Sequence, residues 1–293
     1  MKNLQGTEAE RLIVINAGID IASNEIAAIS NNLLSLSTGL CFACSDSQSG
    51  RLDITELSTE NIVEAIAKDN INPAGIISIP FSILKALPDN QSIKPEALSI
   101  YCAISALAIG EEITMLSSSS SDFEPITPKR ILSASDMAKL IRFAISEFNI
   151  EDLFPNYAWV EHEEESLSLC YHTLAAIFIK IGDWEGATEC LNISEQFEDS
   201  PRLLALRGIV ASKQGRTLEA VANMVSSLQQ YESRKKNDGE HYLSFNPSSL
   251  EDINVDLKDG LDALNQRDNS KAFECFSNAI FNFDTFYRDL GIC

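Results

Sequence analysis

Histidine is scarce in this chain, with three in 293 residues. Three are too few for a metal centre unless they converge, and these are scattered. His162 stands in a run of glutamates, His172 on a candidate helix and His241 in a polar stretch. Basic residues are few as well: 22 lysines and arginines against 43 aspartates and glutamates, a formal net charge of −21. A cut at Ser166 leaves 10 basic and 24 acidic residues before it and 12 and 19 from there on, so −14 and −7. Such a surface repels phosphate backbones and anionic lipid, which excludes nucleic acid as a partner. Basic protein partners, or solubility alone, remain as what the acidity serves. Seven cysteines, an odd number, do not make a disulfide framework.

Long apolar runs are missing too. The most apolar uncharged run, 97–110, is shorter than the about 20 residues a bilayer span takes, and 26–45 is broken by Asn31, Asn32 and several serines. No direct membrane insertion is expected. Glu8, Glu10 and Arg11 precede the first apolar run, which argues against a signal peptide and for a cytoplasmic, reduced protein. No Gly-rich phosphate loop, nucleotide fingerprint or Ser/His/Asp constellation occurs, so no enzyme, no catalytic residue, no cofactor and no metal is expected.

What the chain does have is helical periodicity. Leu12, Ile15, Ile19, Ile26, Ile29, Leu33 and Leu36 predict helix over 7–37. Leu40 and Phe42, a polar turn, then Leu52 and Ile54 alternate as a small β-hairpin would. Asn61 opens a short helix to Lys68, Asn72-Pro73 and Ile79-Pro80 break 70–95 into short helices and turns, and Pro95–Met115 reads as one buried helix. The serine run Ser117–Ser121 with Pro125 and Pro128 makes 117–131 a mobile loop, after which Ser135 caps a helix to Phe148. Residues 1–150 are thus expected to form a helical N-terminal domain, with the boundary falling between 150 and 166.

The second half repeats itself. Tyr171, Ala175, Phe178, Gly182, Trp184, Ala187 and Leu191 return 33 positions on as Leu204, Gly208, Ala211, Gly215, Thr217, Ala220 and Met224. After an insertion they return again as Asp256, Gly260, Ala263, Arg267, Asn269, Ala272 and Phe276. Each copy has a helical period broken once, so each is a helix pair. Ala175, Gly208 and Gly260 fall where the first helix presses on the second, and Ala187, Ala220 and Ala272 are the reciprocal small residues. Leu191, Met224 and Phe276 are placed to fill the space between units. Ser200-Pro201 starts one helix as N-cap and N1, and Ser248 with Glu251 reads as a capping box for another. The units are about 168–200, 201–231 and 253–286, and insertion 232–249 is expected to loop out on one face.

This pattern resembles the tetratricopeptide repeat family, over about 120 residues of the C-terminal half. The resemblance implies a mainly α protein in which the helical N-terminal domain is followed by an α-solenoid of about three helix pairs. It also implies that the first helix of each pair lines a concave wall. That wall would present Leu169, His172, Ala176 and Ile179, then Arg202, Ala205, Ile209 and Ser212, then Asn254, Leu257, Leu261 and Leu264. Members that clamp a C-terminal carboxylate use Lys and Asn there. Here His172 and Ala176 stand in those places, and Leu206 where the second Asn would be, so carboxylate capture is not implied.

An apolar, acid-rimmed groove suits a scaffold or adaptor that binds a peptide or helix of another protein, a basic, amphipathic or extended segment with apolar anchors. A secretion or assembly chaperone that masks an apolar partner is the alternative, and some of these leucines are otherwise covered by the N-terminal half. The other alternative is thiol redox or metal chemistry at Cys41-Phe42-Ala43-Cys44, against which the serine-rich turn after it and the lack of a second cysteine pair weigh. The oligomeric state is left open.

Overall fold

The computed structural model describes residues 11–15, 39–44, 51–71, 76–88, 93–117, 132–237 and 247–283. The protein is mainly helical, with eleven α-helices among the described residues and one four-stranded sheet. It falls into two compact units, residues 1–155 and 156–293.

The first unit holds the sheet. Its strands are β1 (Arg11–Ile15), β2 (Leu40–Cys44), β3 (Ile76–Pro80) and β4 (Ile113–Ser117), in the order β1-β3-β2-β4. β3 pairs antiparallel with β1 and with β2, and β2 pairs parallel with β4. Consecutive residues of the central strands are buried (Leu40, Cys41 and Phe42; Ile77, Ser78 and Ile79), so both faces of the sheet are covered there. Arg11 on edge strand β1 ties three strands together: it donates to the Ser78 hydroxyl at 2.9 Å and carbonyl at 3.3 Å, and to the Gly39 carbonyl. The helices are α1 (Ile62–Ala67), α2 (Phe81–Ala86), α3 (Pro95–Ile109), α4 (Ala134–Glu147) and the single turn α5 (Ile150–Leu153). α3 packs on β2, β4, α2 and α4, and α4 also packs on α1.

Several expectations are corrected here. Residues 11–15 are strand rather than helix, since Leu12, Ile13, Val14 and Ile15 suit a pleated, half-buried surface and find a partner in β3; 16–37 lie outside the described residues. β2 is a strand, but its partners are β3 and β4 rather than 52–54, so the hairpin is not formed. Residues 54–56 make a 3₁₀ turn, and Leu52 bridges Ile71 instead. Residues 76–80 are strand where short helices and turns were expected. The helix expected to reach Met115 ends at Ile109, where Gly110 takes a left-handed φ of 72° and donates to Ala106 and Leu107. Ser133, not Ser135, caps α4, its hydroxyl accepting from the Asp136 N–H at 3.2 Å. The loop expected at 117–131 lies outside the described residues, apart from Ser117 at the end of β4.

The second unit consists of three helix pairs. α6 (Glu163–Ile181) pairs with α7 (Trp184–Ser194), α8 (Pro201–Lys213) with α9 (Thr217–Asn237), and α10 (Pro247–Asn265) with α11 (Asn269–Phe283). Short connections make each pair antiparallel. The turn between helices uses a left-handed residue each time, at Gly182 (φ 82°), Gly215 (φ 76°) and Arg267 (φ 61°). Ser200 caps α8, accepting from the Leu203 N–H at 3.2 Å, with Pro201 first in the helix. Inside the pairs small meets large. A Cβ on Gly208 would stand 2.9 Å from Met224 Cε, and one on Gly260 would stand 2.5 Å from Phe276 Cε1. Met224 and Phe276 therefore lie over the glycine of their own pair, rather than only between pairs. Ala175, Ala187, Leu191, Ala220 and Ala272 are buried.

The insertion is not one loop. α9 runs on through Asn237 and α10 begins at Pro247, so half of 232–249 lengthens two helices, and the other half, 238–246, lies outside the described residues. Ser248 is accordingly inside the first turn of α10 and is not its N-cap.

Candidate functional site

The expected wall requires the first helices of the three pairs to lie side by side. α6 and α8 do so, and α7 also packs on α8. The third pair is turned round. It presents its second helix, α11, to α9 and to a lesser extent to α8, while α10 packs chiefly on α11. The two lengthened helices are the ones that join the second pair to the third. α9 has 21 residues against 13 in α8, eight more, and carries the chain about 12 Å beyond the start of α8 before it turns. Twelve residues expected along one groove therefore belong to two separate surfaces.

On α6 and α8 much of the expected wall is closed. His172, Ala176, Ile179 and Ala205 are buried, so they do not face an open groove. His172 points at α7, where its Nε2 lies 2.9 Å from the Ser194 hydroxyl, and Ser194 in turn lies 3.1 Å from the Ser168 hydroxyl. Burial, with a smaller contribution from the Arg202 charge, lowers the pKa of His172 to about 4 and keeps the ring neutral at pH 7. The pattern that could have revealed this is Ser168 four residues before His172, on the face shared with Ala175. Leu169, Arg202, Ile209 and Ser212 are half-buried. Tyr157, from the turn before α6, reaches this surface: its hydroxyl is 3.2 Å from Thr173 Oγ1, and Trp159 stands edge-on to its ring at 6.5 Å.

On α10 the surface is open. Leu261 is 57% exposed, Leu257 and Leu264 are half-buried, and the side chain of Asn254 lies outside the described residues. Gly260 and Ala263 face α11, so Leu257, Leu261 and Leu264 form a stripe beside the buried edge, about 10 Å long. Asp259 and Asp262 are exposed on the same helix, and Lys258 is its only basic residue. Val255, 58% exposed, stands six residues before Leu261 and so about 120° round the helix from it.

Cys41 and Cys44 lie three apart in one extended strand. Their Cα atoms are about 10 Å apart, beyond the about 7 Å a disulfide bridges. Cys41 is buried, and burial raises the thiol pKa of Cys170 and raises that of Cys102 to about 12, which disfavours the reactive thiolate at both. Among the described residues no group of three or more His, Cys, Asp or Glu side chains is placed to hold a metal ion. Among them, too, no helix is long and apolar enough to cross a membrane. Compared with protein-family models, with curated proteins and with solved structures, the chain finds no match.

Proposed function

We propose that the second unit is a tetratricopeptide-like interaction module, a scaffold or adaptor without chemistry of its own, and that it takes up a segment of another protein on α10. Support for the repeat reading comes from the recurring small residue under a large apolar one (Gly208 under Met224, Gly260 under Phe276) and from the left-handed turn residue at the same place in each pair. The observation that carries the functional reading is the open stripe of Leu257, Leu261 and Leu264. A leucine more than half exposed between two others at helical spacing is a contiguous apolar strip rather than a scattered surface residue. The third pair departs from regular repeat stacking, and that departure is what leaves α10 uncovered by the second pair.

Selection of a displayed random-peptide library on the immobilised full chain tests this reading. Enriched peptides are expected to carry apolar residues at helical spacing and to lose binding to Leu261→Glu. Enrichment that is indifferent to Leu261→Glu, or none at all, would remove α10 as the docking face.

A further inference from the structure

We infer that the segment taken up by the α10 stripe is a cationic amphipathic helix belonging to a different protein; this rests on the reading of the stripe as a docking face. The spacing speaks for a helix. Leu257, Leu261 and Leu264 follow one another at four and three residues, a row along the helix axis that a second helix matches with its own four-and-three row. An extended peptide would set a period of two against it. It would also find no strand edge on α10 for its backbone groups to pair with.

Charge selects the occupant. α10 carries Glu251, Asp252, Asp256, Asp259 and Asp262 against Lys258, so −4, within a chain of −21. A second copy carries the same net charge of −21 and the same acidic helix, so setting α10 against α10 is disfavoured. The chain's own segments outside the described residues fare no better, since none has a net positive charge. By count, Arg288 is outnumbered by Asp284 and Asp289 in 284–293, and Lys129 and Arg130 equal Asp122 and Glu124 in 118–131. Apolar anchors between lysines or arginines therefore have to come from elsewhere.

Three labelled synthetic peptides of about 18 residues, enough for a helix to form on the surface, titrated by fluorescence polarisation onto the full chain, decide the matter. The first is a leucine-striped helix with lysine elsewhere, the second the same helix with glutamate, the third a scrambled leucine–lysine sequence. The lysine helix is expected to bind, with the glutamate helix and the scrambled peptide at least about tenfold weaker. Leu261→Glu is expected to weaken the lysine helix at least about tenfold although it adds a negative charge. Val255→Glu, which adds the same charge on the opposite flank, should change binding less than about twofold. Leu261→Asn repeats the test without charge.

If the glutamate helix binds as well and both are lost in Leu261→Glu, the stripe stands as a docking face and its cationic preference is overturned. If the scrambled peptide binds equally, or Leu261→Glu binds as well as the wild type, attraction is diffuse and both readings fall. No binding of any peptide overturns both as well. A dimer seen in sedimentation and abolished by Leu261→Glu would assign the stripe to a second copy instead.

Discussion

His172 shows how one side chain decides what a surface can be. A histidine at a position expected to line a groove reads as a contact offered to a partner, yet its ring is bonded to Ser194 inside the first pair. The pKa there is about 4 in the folded protein, against an ordinary 6.5 once unfolded. The unfolded chain therefore takes up a proton between those values while the folded chain does not, so this residue removes stability as pH falls from 6.5 towards 4. Between pH 7 and pH 5 the loss comes to about 2 kcal/mol. Denaturant melts at the two pH values, for the wild type and for His172→Gln, should differ by that amount. Equal losses in the two proteins would mean that the ring is not buried neutral in this core.

At the scale of elements, close approach of paired helices is the main design. The two glycines differ in what a methyl group would strike. At Gly260 it meets the rigid ring of Phe276; at Gly208 it meets chiefly the flexible end of Met224. Gly260→Ala should destabilise by about 1–3 kcal/mol through overpacking, while Gly208→Ala should stay within about 1 kcal/mol, since alanine favours helix by a similar amount. Thermal melts of the two variants, with Phe276→Leu added to Gly260→Ala as rescue, check the difference. A Gly260→Ala protein as stable as the wild type would contradict the packing.

The same features explain what could be read in advance. Ser200-Pro201, the turn glycines and the small residues facing Met224 and Phe276 leave their mark within a few residues of one another, so helices of the second unit were legible. β1 was not, because Leu12, Ile15 and Ile19 fit a helical period while the run Leu12–Ile15 also suits a strand, and pairing with β3 more than sixty residues on decides between them. The partners of β2 are likewise distant in sequence. Gly110 was the available sign that α3 stops short of β4.

For the whole molecule, the arrangement of the pairs matters more than their number. The residues expected along one wall lie on the first helices of their pairs, but stacking between pairs is a non-local property that the repeat does not encode. Between the second and third pairs it is α11 that packs on α9, with α10 outside it, and α9 is eight residues longer than α8. The apolar stripe of α10 is thereby left open, and it is there that we place the docking of another helix. Hydroxyl-radical footprinting of the full chain, alone and with the lysine helix, tests it most directly. Leu261 should be labelled in the free protein and protected in the mixture, with Val255 labelled in both. A Leu261 already protected in the free protein, or labelled to the same extent with the peptide present, would contradict it.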